Sequence, residues 1–137
     1  MFHKYFYNSS YAQEFCIYSL GQAVLKEAAK RNMGCIALKV LANHAKLPEE
    51  KPSENNSGDG FVKCWYRPIF DDPVLADMAL LFTLSQDVHS AVSPGDVRML
   101  RLGLSIMEKY NGNPPPPDAG ELEELKRRAA LTEKTIF

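Results

Sequence analysis

The sequence predicts a mainly α fold, with about five helices in an irregular bundle and a small two-stranded β element built from residues 2–7 and 61–67. Three observations carry that expectation. Five segments repeat apolar residues at helical spacing, most of them open or close on capping and breaking residues, and two short stretches alternate with period two. In 137 residues of 45% hydrophobic and 24% charged composition, one core is the expected organisation. We expect a globular domain over residues 1–112, a proline spacer at 113–117 and a peripheral C-terminal helix at 118–137, with roughly two-thirds of the chain helical.

Phe2, Lys4 and Phe6 alternate with His3, Tyr5 and Tyr7, the pattern of a short strand. Ser10 to Asn32 then places Ile17, Leu20, Val24 and Ala28 on one stripe and Gln22, Lys26, Glu27 and Lys30 opposite, with Asn32 to Gly34 as the stop. Cys35 to Leu47 reads as a second helix, with Lys39, Asn43 and Lys46 toward solvent and Pro48 closing it. Glu49 to Gly60 is rich in Pro, Ser, Asn and Gly and reads as an exposed loop. Phe61 to Arg67 is the second strand, with Val62, Cys64 and Tyr66 on one face and Pro68 ending it; its expected partner is the N-terminal strand.

Asp72-Pro73 is an N-cap followed by a first-turn proline, opening a helix expected to reach Ala91. Met78 to Leu84 is apolar almost all round, so this helix belongs in the middle of the bundle. Ser93-Pro94 repeats the start signal. The helix after it carries Val97, Leu100, Leu104 and Met107 as its apolar stripe, with Arg98, Arg101, Ser105 and Lys109 opposite and Asn111-Gly112 as its end. After Pro114 to Pro117, Asp118 with Glu121 forms a capping box, and Glu123–Arg127 and Glu124–Arg128 are expected ion pairs. The seam of Leu122, Leu125, Ala129 and Ile136 is narrow, which is why this helix is expected at the periphery.

Sixteen basic residues against seventeen acidic ones give a net charge of -1, so no global field draws the molecule to phosphate backbones or anionic lipid. The aromatic N-terminus lacks the apolar stretch of a signal peptide, and no run approaches the length of a membrane span. Cys16, Cys35 and Cys64 are odd in number and form no CxxC pair, as reduced thiols would. A cytoplasmic location without membrane contact follows as the expectation.

Chemical motifs are scarce. His3, His44, His89 and the three cysteines show no spacing typical of a metal site, and Asn55, Ser57, Asp59 and Gly60 begin like a calcium loop whose closing carboxylate is replaced by Tyr66. No metal or other cofactor is expected. His44 reads as a half-buried packing residue and His89 as a partner for a helix C-terminus. For catalysis, a cysteine nucleophile beside a histidine base is the arrangement the inventory allows, with Cys64 the best placed thiol. No Gly-rich phosphate loop, HExxH or GxSxG sequence is present.

The leading functional expectation is a protein-binding module of the inhibitor, immunity or adaptor kind, with another protein or a second copy of the chain as partner. Its carriers are Tyr11, Phe15, Tyr18 and Trp65, aromatic residues that the helical stripes do not bury. One alternative is a helix-turn-helix nucleic-acid binder, with Val92 to Gly95 as the turn and Arg98 and Arg101 on the recognition helix. The slightly acidic balance weighs against it. A small cysteine-dependent enzyme is the third reading.

Overall fold

The structure, a computed structural model, describes residues 22–48, 64 and 66–130. In chain order they form α1 (residues 22–30), β1 (Ile36–Ala37), β2 (Ala42–Ala45), β3 (Tyr66–Pro68), α2 (Pro73–Leu84), β4 (Ser90–Ala91), α3 (Val97–Lys109) and α4 (Ala119–Ala130). The architecture is mainly α. Four helices occur among the described residues where five were expected, and they hold about half of those residues, not two-thirds.

The missing helix is Cys35 to Leu47. Instead of one turn after another, this segment makes β1, reverses at Lys39 with φ +61°, and returns as β2. A short apolar run bounded by breakers fits a buried strand as well as a buried helix, and periodicity alone does not separate them. Strand pairing decides it here: β1 runs parallel to β4, and β2 runs antiparallel to β3 with Ala45 opposite Tyr66 and Ala42 opposite Pro68. The expected partner of the 61–67 strand, residues 2–7, lies outside the described residues, and the partner observed is β2. The alternation expected in that strand holds at Cys64 and Tyr66, which are both buried.

Local signals place the helix ends. Asp72 caps α2 by accepting the Leu75 N–H at 3.0 Å, with Pro73 in the first turn. The helix stops at Leu84, short of Ala91, because residues 85–89 turn and Ser90–Ala91 extend to pair with β1. α3 is capped by Asp96 and not by Ser93: the Asp96 carboxylate accepts the Arg98 N–H at 2.9 Å. Both α1 and α3 end on a left-handed asparagine, Asn32 at φ +53° and Asn111 at φ +51°. In each, the next residue's N–H reaches back to close a Schellman motif, Met33 to the Ala28 carbonyl at 2.9 Å and Gly112 to that of Met107 at 2.8 Å. Asp118 and Glu121 exchange the two capping-box bonds at 2.9 and 2.8 Å.

The core surrounds α2, which buries Ala76 and every residue from Met78 to Thr83. Met99 and Ile106 of α3, Leu125 of α4, Ile69, and Ala37, Val40 and Leu41 pack with it. α1 joins through a smaller cluster of Leu25, Ala28 and Cys35 with Val88. α4 is seated on α2 by its expected seam, Leu122, Leu125 and Ala129, and by an ion pair from Arg128 to the capping residue Asp72. Arg128 also holds Glu124, as expected, while Glu123 pairs with Lys126 instead of Arg127. Arg127 and Arg128 together hold the Glu124 carboxyl down at about 2.

Asp72 therefore serves two helices. Asp72→Ala is expected to lower stability by about 1–2 kcal/mol through the lost cap. Asp72→Asn, which keeps the cap and loses the charge, should stay within about 1 kcal/mol of the parent because the ion pair is partly exposed. Denaturant midpoints check this, and equal losses in the two variants would show that the cap contributes nothing.

Candidate functional site

The stripe expected to bury α3 is largely exposed. Val97 is 59% exposed, Leu104 54% and Leu100 44%, while Met99 and Ile106, on the neighbouring face, are the residues that enter the core. α3 carries apolar side chains over more of its circumference than the core covers. The surplus face forms one wall of an open apolar cavity of about 230 Å³. On that wall stand Leu100, Gly103, Leu104 and Met107, with Met99 reaching it from the core side. Leu80 and Leu84 of α2 contribute from beneath, and Val40, Leu41, Ala91, Val92 and Ser93 form the opposite side. The Ser93 hydroxyl is the single polar side-chain group among these residues.

Gly103 sits on the helical wall, where a residue without a side chain costs about 1 kcal/mol relative to alanine. Nothing lies within 4 Å of the position its Cβ would take. The glycine is therefore not required by packing within the described residues, and it leaves the groove open at its middle. Val92, on the opposite side of the groove, is exposed as well.

A second, more polar cavity of about 190 Å³ is lined by Leu25, Ala29, Asn32, Met33, Cys35, Asp87 and His89. It brings the Cys35 thiol together with the Asp87 carboxylate and the His89 imidazole, which stand two residues apart in the turn before β4. His89 Nδ1 accepts the Cys35 backbone N–H at 3.1 Å, and the Cys35 thiol points to the Met33 carbonyl at 3.9 Å. The imidazole thus serves the backbone of Cys35. Cys64, the thiol favoured from sequence, is buried elsewhere; burial pushes it up, and Asp96 adds to the effect, so its reactive thiolate is disfavoured. His44 lies half-buried on β2 opposite Arg67, on a strand and not on a helix. His89 lies in the turn before β4, not at a helix end.

Tyr11, Phe15, Tyr18 and Trp65 lie outside the described residues. Arg98 and Arg101 both lie on α3, but the helix-turn-helix geometry does not form: residues 85–96, including β4, separate α2 from α3 in place of a four-residue turn. Arg98 is engaged by Asp96 at 2.8 Å and lies over the Phe70 ring at 5.5 Å, whereas Arg101 is exposed. Among the described residues no group of three or more potential ligands could hold a metal ion, and no helix is long and apolar enough to cross a membrane.

Among the described residues, fold and groove together define a mainly α domain with two small two-stranded sheets and an open apolar face on α3. No family model matches the chain, and neither a curated protein nor a solved structure matches it.

The groove was not foreseen as a site. One signal was present in the sequence: Met99, Leu102 and Ile106 make a second apolar row beside Val97, Leu100 and Leu104. A helix with two such rows has more apolar surface than one contact buries.

Proposed function

We propose that the chain is a cytoplasmic protein-binding module, of the inhibitor, immunity or adaptor kind, that receives an apolar helix face of its partner in the groove beside α3. The observation that carries the reading is the exposed row Val97, Leu100 and Leu104, of which Leu100 and Leu104 line an open apolar cavity. Contiguous exposed apolar surface of this type marks protein contact sites. Its 3-4-3 spacing, continued to Met107, is that of a helix seam that packs against another helix. The free, buried thiols of Cys35 and Cys64 support a reducing compartment. Tyr11, Phe15, Tyr18 and Trp65 are proposed to add to the same binding role as aromatic anchors.

The test uses the full chain and its native host. Gly103→Trp fills the groove at a position with room for a side chain, and Leu104→Glu places a charge on its wall. Both variants should keep the unfolding midpoint within about 0.5 kcal/mol of the parent or raise it. Both should lose the proteins, or the second copy of the chain, that the parent captures. Retained capture by the two variants refutes the groove. If Phe15→Ala with Tyr18→Ala keeps both stability and capture, the aromatic residues have no part in binding.

A further inference from the structure

We infer that His89 is a pH-sensitive latch that positions one wall of the apolar groove; the inference concerns regulation of that site and rests on the groove being the binding surface. The imidazole Nδ1 accepts the Cys35 backbone N–H at 3.1 Å while the backbone N–H of His89 donates to the Cys35 carbonyl at 2.8 Å. This two-bond ring stands where β1 and β4 begin to run side by side, Ile36 beside Ser90 and Ala37 beside Ala91. At the far end the Val92 N–H donates to the Ala37 carbonyl at 2.9 Å. Each strand has two residues, so the bonds at its ends are a large share of what holds the pair. Ala91 and Val92 line the groove, on the side opposite α3.

Nδ1 accepts a hydrogen bond only while the ring is neutral and its proton is on Nε2. A proton taken up at Nδ1 places N–H against N–H, and that bond is lost. The surroundings offer the charged ring a second position. Asp87 lines the same cavity and supplies a carboxylate, while the Cys35 thiol is directed to the Met33 carbonyl. From α1 the cavity receives Leu25 and Ala29, with Asn32 following the helix; Glu27 is held by Lys30 and Arg31, and it and Lys26 are exposed away from it. Neutral, the ring ties the start of β1 to the start of β4. Protonated, it turns to Asp87 and releases the Cys35 amide, so β4 and its groove-lining residues are held less firmly at low pH.

Nuclear magnetic resonance of the full chain between about pH 8 and pH 5 tests this. The Cys35 amide should shift with the His89 ring protons at one midpoint, the Ala91 and Val92 signals should follow, and Cys35 amide protection should fall about five-fold. His89→Asn puts a non-titrating acceptor, Oδ1, where Nδ1 stands. It should keep the Cys35 amide protected throughout and flatten the response at Ala91 and Val92, whereas His89→Ala should leave that amide unprotected at every pH. A Cys35 amide indifferent to the ring's titration, or a pH response surviving in His89→Asn, overturns the latch. Capture retained by Gly103→Trp would overturn the groove reading alone, since the Cys35 and His89 signals do not depend on a partner.

Discussion

Met99→Ala is expected to destabilise the protein by about 2–5 kcal/mol, and Ile106→Ala by a similar amount. Met99 is fully buried and Ile106 nearly so, between α2 and the rest of the core. Truncating either removes apolar contacts and leaves a cavity that the neighbours close only in part. Leu104→Ala should change stability by less than about 0.5–1 kcal/mol, because that side chain is 54% exposed. Val97→Ala should behave likewise, with a slight gain from alanine's helix propensity. The four variants measured together by denaturant unfolding report which face of α3 enters the core. The opposite ranking, with Val97 and Leu104 costly and Met99 and Ile106 tolerant, would show the helix rotated and the groove closed.

Removal of residues 118–137 is expected to lower stability on the order of 3 kcal/mol, against a total of about 5–15 for a domain of this size. The loss comes from Leu125, buried in the main core, from Leu122 packed against it, and from Ala129. It also uncovers the α2 surface beneath them and leaves Asp72 without Arg128. Leu125→Ala alone should cost about 2–5 kcal/mol, which separates the effect of the side chain from that of shortening the chain. A truncated protein with the parent's unfolding midpoint would mean that the seam on α4 contributes nothing to the core.

These variants also bear on the groove. Met99 belongs to both the core and the cavity, so its truncation should weaken binding together with stability. Leu104→Glu and Gly103→Trp should separate the two properties. A charged or bulky side chain on the open wall meets solvent in the isolated chain, and would meet the partner in the proposed complex.

Local chemistry in the sequence determined the mainly α class, the central helix and four helix ends, at Asn32, Asp72, Asn111 and Asp118, but neither the end of α2 nor the start of α3. Asp72-Pro73, Asn32, Asn111 and the Asp118–Glu121 box act through bonds to residues within a few positions, so nothing distant is needed to read them. The seam of α4 and the buried face of Cys64 and Tyr66 were legible for a related reason: each has a clear apolar minority whose periodicity leaves one choice. Tertiary structure decided the rest. Ile36–Ala37 and Ser90–Ala91 became strands because each supplied the other's backbone hydrogen bonds across more than fifty residues, and Ala42–Ala45 became one by pairing with Tyr66–Pro68, which no local pattern encodes. On α3, two apolar rows competed for one core, and the position of α2 selected Met99 and Ile106. The row left over, Val97, Leu100 and Leu104, became the candidate site because burial depends on what packs against a helix, whereas the sequence specifies only which of its faces are apolar.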